Sequence, residues 1–369
     1  MIFMNLKRTA QPWRYSPAAI ALNGASIAPM PPSETTHPLH APSAPFTSAQ
    51  VDVGDGHILY VEQCGSADGM PMVYLHGGPG SGGSPKHRQF FDPTLCRTVL
   101  FDQRGCGRSL PRGALLHNHT DALVQDMETL RLHLGITRWL VVGGSWGAGL
   151  ALAYAAVHPD ACLGLVLRGV FLGRAADIDW FFKGAAQLLP DAWQELAERA
   201  DHAPFSTADE VLAWLYAGLH GTDAEKALVC AMAWEAWEQS LSQQHAVAPR
   251  ILATGDTEAA LLIDKYRVQS HYLIHHCFRE GTGLLPVEAR LSGLPVAILH
   301  GRLDWICRAE AAWDVHRKLP GSRLQWIKGC GHNPFEPDNA AALVATIQHF
   351  AMHGNFTHWG NAFAHQPKL

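Results

Sequence analysis

The chain of 369 residues has no apolar run of the roughly 18 to 20 residues that a membrane helix needs. It has little net charge, −5, and no basic stripe or polybasic run. A nucleic-acid partner and an anionic membrane surface are therefore not indicated. Although there are 22 histidines, the chain lacks an HExxH motif and lacks paired CxxC motifs. Nothing in it points to a metal site or a cofactor. It lacks internal repeats. It also lacks a cysteine cluster: Cys64, Cys96, Cys106, Cys162, Cys230, Cys277, Cys307 and Cys330 are dispersed. Such spacing reads as reduced, mostly buried thiols of a cytosolic protein. The N-terminus begins apolar and carries Lys7, Arg8 and Arg14 only later, with Pro12, Trp13 and Pro17 interrupting. A secretory signal has its charge first and an unbroken apolar stretch after it.

What is present is a rhythm. Residues 1–46 are rich in Pro, Ala, Ser and Thr, without lasting periodicity, and read as a flexible leader. Val51–Val53 and Ile58–Gln63 then bracket Gly54-Asp55-Gly56, a hairpin signal. Short apolar runs follow at Met72–Leu75, Thr98–Phe101, Trp139–Val142 and Gly164–Leu167. Residues 120–134 space their apolar positions as a helix with Thr120 as N-cap, and Ala148–His158 reads as another helix. Continuous apolar strands alternating with helices predict an α/β fold, a parallel sheet covered on both faces. The alternation stops after Leu172. Residues 173–292 are helical in character and rich in Trp. It resumes with a strand at Pro295–His300, a helix at Arg308–Lys318 and a strand at Leu324–Ile327. The expected organisation is a core of residues 47–172 and 293–352, a helical cap of 173–292 over the strand ends, and a tail of 353–369.

Four motifs carry chemistry. Gly143-Gly144-Ser145-Trp146-Gly147 is a GxSxG between a strand and a helix, the context of a nucleophile elbow. A strand-to-helix turn with Ser as N-cap has the same composition, so the context decides. His76-Gly77-Gly78-Pro79-Gly80 ends an early strand. Acyl transfer needs two backbone N–H donors for the oxyanion. Gly78 and Trp146 are the candidates, since Pro79 has no N–H. Asp304 and His332 follow the last two strands in the chain order Ser, acid, base. Asp314 and His316 are weaker rivals because they fall within a predicted helix. Asp102-Gln103-Arg104-Gly105-Cys106-Gly107-Arg108-Ser109 follows a strand. It suits either a scaffold loop with a buried Asp–Arg pair or a substrate contact. Cys106 has no base placed for it.

Taken together, HGGPG, DQRGCGRS, GGSWG, a WxxWE and a terminal GxGH resemble the prolyl aminopeptidases (proline iminopeptidases), serine peptidases of the α/β-hydrolase fold. The resemblance runs from about Val51 to Phe350. It implies a mostly parallel central sheet with an inserted helical cap. It also implies release of N-terminal proline from small peptides, without metal or cofactor, by Ser145, Asp304 and His332. It further implies that acidic cap residues hold the substrate's free imino group. One matches the Glu that closes Trp234-Glu235-Ala236-Trp237-Glu238, hence Glu238. Without the resemblance, Trp234 and Trp237 read as core on one helix face and Glu238 as a solvated residue. The second family carboxylate falls on Gln269, in Arg267-Val268-Gln269-Ser270-His271-Tyr272-Leu273. Gln269 can accept a hydrogen bond there but supplies no charge. Asp264, just upstream in the sequence, is a candidate to compensate, on proximity in sequence alone. The leader also extends beyond the family's usual start, with Met30 as an alternative initiation point. An esterase, lactonase or amidase for small neutral substrates is the alternative that keeps the same three residues.

Overall fold

A computed structural model describes residues 38–200, 205–279, 281, 283–285, 291–357 and 359. Most of the expected leader and of the expected tail lie outside the described residues. The first hairpin forms where the Gly-Asp-Gly signal stands: β1 (Thr47–Asp52) and β2 (Ile58–Gly65) pair antiparallel. There follow β3 (Met70–Leu75), β4 (Cys96–Phe101), α1 (Thr120–His133), β5 (Trp139–Gly144), α2 (Trp146–Val157) and β6 (Cys162–Arg168). Among the described residues five α-helices then intervene: α3 (Ala175–Phe182), α4 (Pro190–Glu198), α5 (Ala208–His220), α6 (Ala224–Gln243) and α7 (Thr257–Ile274). The chain returns to the sheet with β7 (Val296–Gly301), α8 (Ala309–Lys318), β8 (Arg323–Ile327) and α9 (Pro337–His353).

The strand order is β1-β2-β4-β3-β5-β6-β7-β8. β2 pairs with β4 antiparallel, and β4 through β8 run parallel. Strand side chains alternate faces. Val73, Val141, Leu165 and Ile298 thus join the core built with α1, α2 and α8. Met72, Leu140, Val166 and Ala297 join the core under α9. Both faces are dry, which is why these strands read as continuous apolar runs rather than alternating ones.

Two local expectations need correction. Thr120 is not the N-cap of α1; His119 is, its Nδ1 accepting from the Ala122 N–H at 3.2 Å. Thr120 is buried, and its hydroxyl donates to the Cys277 carbonyl at 2.5 Å. A tertiary acceptor has taken the hydroxyl that local sequence offers as a cap. Helix α9 was not anticipated as a helix. Its Pro at N1 and its buried Ala340, Leu343, Val344, Ile347 and Phe350 are nevertheless a helical face.

Candidate active site

Ser145, Asp304 and His332 all follow the C-terminal ends of parallel strands. Ser145 follows β5 directly and caps α2 with φ 58° and ψ −124°. A non-glycine residue is rare there, and such strain persists only where the surroundings over-determine it. The surroundings here are tight. A Cβ on Gly143 would lie 2.2 Å from the Gly147 carbonyl oxygen, and one on Gly147 would lie 2.1 Å from that of Leu75. Only glycine at both positions lets strand, turn and helix approach this closely. The Ser145 N–H is held by the Arg168 carbonyl at 2.8 Å.

His332 and Asp304 arrive on the loops after β8 and β7. The His332 Nδ1–H donates to Asp304 Oδ2 at 2.7 Å. This fixes the tautomer and leaves Nε2 with a lone pair. The other Asp304 oxygen accepts from the backbone N–H groups of Ile306 at 3.0 Å and Cys307 at 2.8 Å. Burial opposes ionisation of Asp304. The facing His332 and these hydrogen bonds outweigh it and hold the carboxyl below its ordinary range. Arg168, buried at the end of β6, donates to the His332 carbonyl oxygen and so anchors the histidine loop.

Cys307 lies close to each of these groups. Its Sγ is 3.9 Å from Ser145 Oγ and within 4.8 Å of the nearest ligand atoms of Asp304 and His332. Burial and the Asp304 charge push its thiol well above the ordinary range, which keeps it protonated. The rivals are elsewhere: Asp314 pairs with Arg174 at 2.6 Å, and His316 bonds Ser322 at 2.8 Å, both on α8. Burial likewise raises the Cys106 thiol, which donates to the Arg104 carbonyl.

The DQRGCGRS segment takes the scaffold form. Buried Asp102 accepts from the Gly83 N–H at 2.6 Å, the Arg108 N–H at 2.8 Å and Arg108 Nε at 2.9 Å. Arg104 forms a two-bond fork with Asp126, both contacts 2.7 Å. One member faces the site. Gln103 Oε1 accepts from the Trp146 indole at 2.8 Å, while its amide group donates to the His76 carbonyl at 3.0 Å.

A pocket opens at Ser145 and Gly78. Phe171, Ile178, Phe181, Phe182, Leu273 and Ile306 give it apolar walls, with Cys307 and Gln269 completing the lining. Helices α3 and α7 of the insertion therefore supply much of its roof. Gln269 is 6% exposed, and its Oε1 has no hydrogen-bond partner. Glu238 is not among the residues lining this pocket. It accepts from Tyr266 Oη at 3.1 Å and pairs with Lys265 at 3.5 Å. Asp264 also stands apart, 3.8 Å from Arg112, in a separate cavity of about 730 Å³ bounded by Gly80, Arg108, Arg250 and Lys265. Arg168, Cys307 and the aromatic wall were not anticipated from sequence. The one visible signal was an arginine ending the otherwise apolar β6.

A sheet of this order, with an elbow after β5 and polar loops after β7 and β8, is that of an α/β hydrolase. The family model described as alpha/beta hydrolase fold matches residues 70–338. The chain is 42% identical over 315 residues to a proline iminopeptidase of Xanthomonas citri, spanning 85% of this chain and 99% of that protein. It is 41% identical over 309 residues to a proline iminopeptidase of Arabidopsis thaliana, spanning 83% and 80%. Among solved structures, a proline iminopeptidase-related protein from Thermus thermophilus superposes with a TM-score of 0.51 at 24% identity, covering 83% of this chain and 97% of that one. The chain belongs to the proline iminopeptidase family of α/β hydrolases.

Proposed function

We propose that the protein is a serine aminopeptidase that releases N-terminal proline from small peptides. The observation that carries this reading is the pocket at Ser145: small, apolar, rich in aromatic rings, and containing one buried polar oxygen without a partner, Gln269 Oε1. Such walls suit a pyrrolidine ring, and the unpaired acceptor suits the N–H groups of a free imino terminus.

In the proposed reaction, Ser145 Oγ attacks the prolyl carbonyl while His332 Nε2 takes its proton. Asp304 stabilises the imidazolium. The oxyanion is received by the backbone N–H groups of Gly78 and Trp146. Trp146 opens α2, so its N–H is one that a helix leaves without an internal partner, and the helix dipole favours the negative charge. His332 returns the proton to the leaving amine. Water, activated by His332, then hydrolyses the prolyl-enzyme. No metal or cofactor enters this scheme. Residues 173–292 act as the cap, with Gln269 as the amine acceptor. Glu238, paired with Lys265 and outside the residues lining the Ser145 pocket, is given no substrate contact in this scheme. The eight buried free cysteines favour a cytoplasmic setting. No described helix is long and apolar enough to cross a membrane.

One observation favours a second reading. No carboxylate is among the described residues lining the pocket, so an esterase or amidase for small neutral substrates fits the same Ser145. Rates on an L-proline anilide and a small neutral aryl ester, each with Ser145→Ala as blank, separate the two. Proline release that vanishes in Ser145→Ala supports the peptidase. Ester turnover dependent on Ser145, with no proline release, replaces it by the esterase.

A further inference from the structure

Three buried side chains form a continuous network behind the two oxyanion donors. The Gln103 backbone N–H donates to His76 Nε2 at 3.0 Å. A backbone N–H can only donate, so His76 Nε2 accepts and the ring proton resides on Nδ1. That Nδ1–H donates to the Gly77 carbonyl at 2.8 Å. The Gly77 carbonyl and the Gly78 N–H belong to one planar peptide unit and point in opposite directions. Holding the first therefore aims the second. The Gln103 side chain closes the network: its amide nitrogen donates to the His76 carbonyl, and its Oε1 accepts from the indole of Trp146, whose backbone N–H is the other donor. His76 and Gln103 are each 1% exposed and Trp146 is fully buried. Burial lowers the basicity of His76 against the opposing charge of Asp102, which keeps the ring in this neutral form.

We infer that Gln103 is a positioning residue for the acyl-transfer reaction: through its bonds to His76 it ties the loop that carries Gly78 to the indole of Trp146, and so sets the spacing of the two oxyanion donors. This rests on the serine-hydrolase reading of Ser145. The role does not require Gln103 to touch substrate. It acts in the transition state, because the oxyanion forms only there.

The test uses the full-length protein, L-proline anilide, and active-site titration to count functional enzyme. Gln103→Met has nearly the same shape and cannot make either side-chain bond. It is expected to lower kcat by about one hundredfold, the scale of one misdirected oxyanion donor, with KM within a factor of about three. Gln103→Glu gives a pH signature that a merely structural role does not. Its neutral carboxyl group can donate to the His76 carbonyl and accept from the indole, whereas its ionised form can only accept. Its kcat relative to that of the unmodified protein should therefore rise as pH falls. A change confined to KM in Gln103→Met, or a relative kcat of Gln103→Glu that is flat with pH, overturns the inference. Should Gln103→Met not fold, the Gln103→Glu profile decides alone. If the unmodified protein shows no Ser145-dependent turnover, the functional reading itself has failed, and the inference with it.

Discussion

Gln269→Glu is the most informative single change in the pocket, because it adds a charge and almost no volume. In the proposed complex the substrate amine meets the neutral carbonyl oxygen of Gln269, which has no other partner. A hydrogen bond between neutral groups contributes about 0.5–1.5 kcal/mol net, and one to a charged group about 1.5–3 kcal/mol. The difference, about 1–1.5 kcal/mol, is roughly a tenfold gain in affinity. It has a condition. The walls around position 269 are apolar, so the introduced carboxyl resists ionisation when the pocket is empty. The gain should therefore grow as pH rises through the raised carboxyl pKa and fade once the substrate amine itself deprotonates, near pH 8. The assay is kcat and KM on L-proline anilide between about pH 5 and 8, each as a ratio to the unmodified protein. The expected result is a KM ratio that falls to about one tenth near pH 7, below the amine's own deprotonation, with kcat little changed. A KM that is unchanged or higher at every pH, in a variant with intact kcat, would refute the placement of Gln269 at the amine.

Other predictions follow from the same geometry. Asp304→Asn should lower kcat by about 10⁴-fold with little change in KM, because the imidazole loses the partner that fixes its tautomer; stopped-time assays on the proline anilide measure this. Arg168→Met should lower kcat by up to about 10²-fold at constant KM, since the His332 loop loses its anchor; equal kcat in the two proteins would contradict it. Gly147→Ala should destabilise the protein by about 3 kcal/mol or more, given a Cβ 2.1 Å from backbone, and urea unfolding reads the loss directly. His300 is fully buried and depressed in pKa by that burial against the pull of Asp304. A histidine whose folded pKa lies below its unfolded value of about 6.5 adds stability above that pH and forfeits it as pH falls towards the folded value. The melting temperature should thus drop below about pH 6.5, and His300→Gln should flatten that slope, each histidine contributing at most about 1.4 kcal/mol per pH unit. An unchanged slope would remove His300 from the account.

The sheet was legible because its strands are buried on both faces and flanked by loops rich in glycine. The hairpin, the elbow, and the positions of Asp304 and His332 after β7 and β8 are all local patterns of that kind. The pocket was far less legible. Phe171, Ile178 and Phe182 are apolar residues among many, and only tertiary packing turns them toward Ser145. Glu238 shows the converse: its motif marks the helix, yet Lys265 and Tyr266, more than twenty residues on, decide what its carboxylate meets. Asp264 is five residues from Gln269, and that spacing on a helix turns it to another face, towards Arg112. The Thr120 cap failed for the same reason, a distant carbonyl at Cys277. Gln103 sat in a motif with two open readings. Its hydrogen bonds to His76 and Trp146 join segments about 27 and 43 residues away, which no local window contains.

The most direct test of the central claim is a comparison of aniline release from L-proline anilide and from its N-acetyl derivative by the purified protein. The account predicts fast release from the first and almost none from the second, because acetylation removes the amine that Gln269 is proposed to receive. Equal rates on the two substrates would contradict it and leave a hydrolase that does not read the N-terminus.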